Sequence, residues 1–353
     1  MNARKMITDD IGSFPAPGIE RKRAQEIALS IASGSCCAED KTLFDNAVSS
    51  AMQMKLDSGI DVPNFPQFAD MISGFFSLIE NFQSDEPWVV QREKAAIPEI
   101  ESLKKFAKKR YDETGKPLEL RACVTGPLEL YLKTAGNSVE GDLLANIAKS
   151  VSFFVENSAM NEKYIKTSIL SIDEPSLGLN PNIMADEGDL AKAWEISVGP
   201  AKGIDVHVHL HSPNDMDKFY GVAGVNVIGI EAAEEPNNLG IVDKEGLEEN
   251  GKFLRIGVAR TNIFGIASDF LGKTGIDVWR EPAKLGQMVD DMEGPEIIGK
   301  RLEKAHGMFG ELIKYVGPDC GLGSWPTAQA ASLLLKNTTR AVNEFKGGNR
   351  NIL

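Results

Sequence analysis

The sequence predicts an α/β fold, a (β/α)8 TIM barrel with an N-terminal helical extension and rim insertions. Three observations carry that expectation. Short β-type runs alternate with helical periodicity until about eight strand–helix units are spent. The polar motifs IGS, FPQ, TGP, IDEP, HVHLH, IGIE, GVAR and CGLG each fall at or near the C-terminal end of a predicted strand. That end is where barrel enzymes of this kind gather their catalytic groups. Finally, the 353 residues contain no low-complexity tract or linker that would divide them, so one domain over 1–353 is expected.

In chain order, Met6–Ile11 reads as the first strand, ended by the turn-prone GSFPAPG, and Ile19–Ser33 as an extra helix. Asp40–Asp57 has apolar residues at helical spacing and stops at Gly59, a good C-terminal cap. Ile60–Val62 is a short second strand, followed by an apolar helix through Phe82. Residues 84–116 are polar and charged and read as an insertion on the rim. Leu118–Val124 is a strand ending in TGP, where Thr125 is placed to cap the next helix, and Gly141–Lys163 is a long helix. Ser168–Ile172, Ile204–His211, Val225–Ile230 and Phe253–Val258 are the next strands, with a helix over Asp186–Ser197. Residues 262–296 form a second insertion with weak periodicity. Ile297–Val316 reads as an amphipathic helix, Cys320–Trp325 as the last strand, and a helix starts at Thr327.

Composition narrows the function classes. A formal net charge of −13 and a pI near 5.0 argue against nucleic acid or an anionic membrane as partner. No apolar run approaches the ~20 residues that cross a bilayer, and MNARKMITDDIGSFP lacks the apolar core of a secretory signal. Cys36, Cys37, Cys123 and Cys320 make no disulfide framework in a chain this long. A reducing cytoplasm is the expected setting.

The most informative stretch is Asp205–Asp215, DVHVHLHSPND, which holds three of the four histidines at i, i+2, i+4. On a strand that spacing puts His207, His209 and His211 on one face, with Val206, Val208 and Leu210 on the other. Imidazole is the commonest side-chain metal ligand, and two such residues on one strand can take adjacent corners of a tetrahedral site. A row of hydrogen-bonded core histidines is the plainer alternative. Glu231, the acid that ends VNVIGIE, is the candidate carboxylate, although a helix N-terminal acid reads the same way. Cys320, flanked by glycine in PDCGLG, is the candidate thiolate; buried structural cysteines keep apolar company. Two imidazoles, a carboxylate and a thiolate suit zinc, and sulfur disfavours magnesium or calcium.

Taken together, DDIGSFP, GIDV…DM, VTGPLEL, SIDEP, HVHLHSPND, VIGIE and PDCGL resemble cobalamin-independent methionine synthase. The likeness is to its C-terminal catalytic barrel and to the short stand-alone archaeal and bacterial members, and it runs from about Ile7 to Lys346. It implies a Zn2+ held by a His-x-Cys pair, a Glu and a Cys. Aligned on Asn214–Asp215, these become His207, His209, Glu231 and Cys320, with histidine standing where the family has its first cysteine. His211 is then a catalytic neighbour of the metal, or itself a ligand if the register slips by two.

The resemblance also implies homocysteine as acceptor, bound by IGS (Ile11, Gly12, Ser13) and by Asp173 of IDEP. A carboxylate can pair with the ammonium of an amino acid while a hydroxyl and a backbone N–H take its carboxylate; a loop-capping acid is the alternative for Asp173. Where the family has a Glu after the second strand, this chain has Gln67. Two-barrel members hold a polyglutamylated folate on an aromatic, arginine-containing segment, which DEPWVVQREK around Trp88 matches poorly. The strong negative charge also disfavours a polyanionic tail, unless a basic patch such as Lys104–Arg110 is local. A methylcorrinoid, free or carried on a protein, is therefore expected as methyl donor, with a methyl-tetrahydropterin as the alternative. The implied chemistry is attack of a zinc-activated thiolate on the donor's methyl carbon, displacing the corrinoid cobalt or a pterin nitrogen. Gly321 and Gly323 are separately expected to let the site move. Coenzyme M or another small thiol is the alternative acceptor. An amidohydrolase-like metal hydrolase, or a non-catalytic corrinoid- or thiol-binding partner, are the alternatives from other classes.

Overall fold

The alternation of strand and helix produces a ring of parallel strands, described by a computed structural model over residues 6–348. The strands are β1 (Ile7–Thr8), β2 (Leu118–Thr125), β3 (Asn161–Glu162), β4 (Ile165–Asp173), β5 (Asp205–Leu210), β6 (Val227–Ile230), β7 (Phe253–Ala259) and β8 (Ile313–Pro318). Their order is β1-β8-β7-β6-β5-β4-β2, all parallel, with β3 added as a short antiparallel hairpin on β4. Parallel bridges Asp9↔Val62 and Asn64↔Arg121 close the ring, so the segment around 62–64 is the second stave. Two prolines, Pro63 and Pro66, interrupt this stave, and proline donates nothing to a ladder. It is held by isolated bridges rather than a continuous run. The first five residues of the N-terminal stretch MNARKMITDDIGSFP lie outside the described residues.

Twelve α-helices occur among the described residues: α1 (Arg21–Ser33), α2 (Ala38–Asp57), α3 (Ser73–Asn81), α4 (Pro98–Thr114), α5 (Pro127–Ala135), α6 (Gly141–Ser158), α7 (Glu187–Val198), α8 (Lys244–Glu249), α9 (Ile263–Thr274), α10 (Leu285–Met292), α11 (Pro295–Phe309) and α12 (Ala328–Gly348). Local chemistry sets their ends. Pro98 starts α4, where its missing N–H costs nothing, and left-handed Gly115 stops it. Asp186 caps α7 by accepting from the amides of Gly188 and Asp189. The core is a continuous apolar layer between strands and helices, with Val208, Ile228, Ile256 and Val316 fully buried on the sheet.

Five expectations are corrected. Residues 84–116 are not merely a rim excursion: Ile100, Leu103 and Ala107 of α4 are buried as part of the helical layer. The helix expected over Ile297–Val316 ends at Phe309, because Gly310 turns with φ +52°, and the β-prone IKYVGP becomes β8. Cys320 consequently follows the last strand instead of starting it. Residues 262–296 contain two helices, α9 and α10, anchored by buried Glu293, which accepts from Arg260 and Arg301. Thr125 caps nothing; its hydroxyl donates to the Met71 carbonyl, and Gly126 holds the N-cap position of α5.

Candidate metal centre

β5 delivers the histidines. His207 pairs in register with Ser171 of β4, and His209 with Asp173, so each two-residue step along β5 climbs one level towards the C-terminal mouth. His211 follows the last strand residue, Leu210. Glu231 follows β6, and Cys320 lies two residues beyond β8.

The ligand-type atoms of His209, His211, Glu231 and Cys320 all lie within 4.8 Å of one another. His211 Nε2 is 3.3 Å from Glu231 Oε1 and 3.7 Å from Cys320 Sγ. Both ring nitrogens of buried His209 lack a hydrogen-bond partner among the described residues. An orphaned buried imidazole facing a second imidazole, a carboxylate and a thiol is a set of donors that fits a zinc ion. His207, expected as a ligand, is not in this group. It sits one level deeper, where Arg121 Nη1 donates to its Nδ1 at 3.0 Å and Tyr315 packs edge-on with ring centroids 4.4 Å apart. Period two predicts the shared face correctly, but the depth of each histidine depends on strand register.

The electrostatics suit exchange of protons for a cation. Burial pushes the Glu231 carboxyl up to about 8, with Asp319 adding to the effect. Burial, then Glu231, raises the Cys320 thiol well above its ordinary range. Burial, then His211, holds His209 neutral well below the usual imidazole value; burial lowers His211 as well. Burial thus favours the protonated forms of Glu231 and Cys320, and these are the protons that a bound metal would displace.

Beneath the cluster lies a polar layer that sequence reasoning missed. Asp9, Arg121, His207 and Arg255 come from alternate staves and are fully buried, the positions that branched aliphatics dominate in most barrels. Asp9 accepts from both guanidinium groups, Arg121 through Oδ2 and Arg255 through Oδ1 at 2.9 Å. The signal was an arginine on the inward face of LELRACVT and another in FLRIGVA.

The predicted substrate residues lie together beside the cluster. Ser13 bridges Gln67 in parallel register, and its Oγ accepts from the Gly323 amide at 3.0 Å. Gly12 has φ +53°, and a side chain there would press on Gln67 Oε1. Ile11 and Gln67 are buried. Asp173 is buried and accepts from Ser171 Oγ at 2.6 Å; burial raises its carboxyl despite nearby Arg121. A Cβ on Gly321 or Gly323 would stand 2.6 Å from Ser13 Oγ, so these glycines permit close approach of the last loop to the first. Mobility is not needed to explain them.

No family model matches the sequence. Among curated proteins, methionine synthase of Methanothermobacter marburgensis is 22% identical over 361 residues, covering 96% of this chain and all of that one. Among solved structures, a B12-independent methionine synthase from Shewanella sp. W3-18-1 superposes with a TM-score of 0.63 at 14% identity, covering 98% of this chain and 100% of that one. A putative vitamin-B12 independent methionine synthase from Listeria monocytogenes gives 0.55 at 13% identity, covering 96% and 99%. A methyltransferase from Methanosarcina mazei gives 0.53 at 12% identity, covering 97% and 94%. The structural likenesses establish the fold, and the curated relative extends the resemblance along nearly the whole sequence.

Proposed function

We propose that this chain, which shares its barrel with B12-independent methionine synthases and resembles them in its sequence motifs, is a zinc-dependent thiol S-methyltransferase acting as one catalytic unit. The observation that carries the reading is the meeting of His209, His211, Glu231 and Cys320 within 4.8 Å. These four residues would hold the ion. When bound, zinc lowers the pKa of a coordinated thiol so that it is a nucleophile at neutral pH.

The chain's own residues would then orient the acceptor. Asp173 offers a buried carboxylate to an ammonium group, and the Gly12–Ser13 turn offers polar groups to a carboxylate. Holding the thiol and the methyl carbon in line turns a bimolecular encounter into a positioned one. Homocysteine is the acceptor that this pair of subsites fits. Gln67, a neutral amide near Gly12, supports a second reading, since it leaves only one acid for the ammonium. On that reading the acceptor is a small thiol without an amino group, such as coenzyme M.

For the donor we favour a methylcorrinoid over a polyglutamylated pterin, on the strength of the net charge of −13. The test is a zinc-loaded assay in which methylcobalamin and methyl-tetrahydropterin are each offered with a panel of thiols. Methylation of homocysteine supports the reading. Zinc binding with no transfer to any thiol from either donor sinks it.

A further inference from the structure

The three loops that carry His211, Glu231 and Cys320 are tied to one another by two side chains outside the cluster. Asp319, 1% exposed, immediately precedes Cys320. Its Oδ1 accepts from the amides of Ala232 and Ala233, each at 3.0 Å, and its Oδ2 from the amide of Glu234 at 2.7 Å. Those are the three residues immediately after Glu231. The Asp319 amide in turn donates to the Ala259 carbonyl at 2.9 Å, seating this turn on β7. Any side chain at Gly257 would collide with the Asp319 carboxylate. On the other flank, Asn238 Nδ2 donates to the carbonyl of His211 at 3.0 Å and to that of Glu231 at 2.8 Å. Both acceptors are carbonyls, so the amide orientation follows from its partners.

We propose that Asp319 and Asn238 are positioning residues that fix the spacing of His211, Glu231 and Cys320 before any ion arrives. Three charge-assisted bonds from consecutive amides define both the distance and the angle between the β6 and β8 loops. The Asn238 fork does the same for β5 and β6. Neither side chain contributes a ligand atom; each acts on the backbone beside one. The proposal rests on the metal reading, and residues that orient ligands in this way typically govern affinity roughly 10- to 100-fold.

Amide exchange of peptide 231–240 in the metal-free wild type, together with zinc and cobalt binding by the wild type, Asp319→Asn and Asn238→Ala, tests it. Affinities are taken by chelator competition at a temperature where circular dichroism shows each variant folded. Simple destabilisation then leaves them unmoved. The expected result is protection of amides 232–234 without metal and a roughly 10- to 100-fold loss of zinc affinity in the variants. The thiolate-to-cobalt absorption band should also weaken in Asp319→Asn. Should Asp319→Asn fail to fold, Asn238→Ala carries the affinity measurement. Amides that become protected only on metal addition overturn the proposal. So does unchanged affinity in the folded variants while the wild type binds metal. A wild type that binds neither zinc nor cobalt overturns the metal reading and the proposal with it.

Discussion

Arg121 Nη1 donates to Nδ1 of His207 across the barrel interior at 3.0 Å. A guanidinium has no acceptor to offer, so Nδ1 receives the bond and the His207 proton stands on Nε2. His207 is thereby committed to the buried polar layer, and the two histidines above it are left for the cluster. On the zinc reading proposed above, substituting His211 by alanine removes a ligand and should reduce zinc affinity by at least about tenfold. Substituting His207 by alanine should leave zinc stoichiometry intact and cost about 1–3 kcal/mol of stability, because Arg121 loses a buried partner. Chelator titration and urea denaturation of both variants separate the two roles; the reverse pattern would restore His207 as a ligand.

Asp9 balances two buried guanidinium groups, and its removal leaves both without their shared anion. Asp9→Asn should therefore destabilise the protein by about 3–5 kcal/mol, the usual penalty for an uncompensated buried charge. A shift in the denaturation midpoint at unchanged slope would report it. A loss below 1 kcal/mol would mean that the layer is not electrostatically coupled.

Glu174 accepts from the Leu128 and Glu129 amides and from Trp194 Nε1, yet burial pushes its carboxyl up to about 8. Its folded pKa is therefore above the unfolded value of roughly 4.3. The native state keeps the proton where the unfolded state has lost it. The resulting stability is fully present below the unfolded value and is lost as pH rises through about 8. Between pH 6 and 9 the metal-free protein should lose about 2–3 kcal/mol from this group. Denaturation of Glu174→Gln at both pH values should show a slope smaller by that amount, and an unchanged slope would refute it.

Gln67 offers no charge beside Gly12. Gln67→Glu should add a second acid for the ammonium and raise kcat/KM for homocysteine over coenzyme M by about tenfold, about the worth of one charge-assisted hydrogen bond. Comparing the two acceptors in wild type and variant reads this out. Equal change for both would place Gln67 away from the ammonium.

The barrel, most of its strands, the shared face of the three histidines and the convergence of Glu231 and Cys320 on the histidine loop were legible in the sequence. These depend on local periodicity and on the identity of the residue that ends each strand. Which two histidines join Glu231 and Cys320 was not legible, because spacing of two fixes a face and leaves depth to the register between β4 and β5. The helix–strand boundary near Gly310 was equally hidden, since IKYV satisfies either period over so short a run. Asp319, Asn238 and the Asp9–Arg121–Arg255 layer act through partners between 7 and 246 positions away. The closed ring brings the distant partners within hydrogen-bond reach, so the arrangement of the candidate site belongs to the tertiary structure.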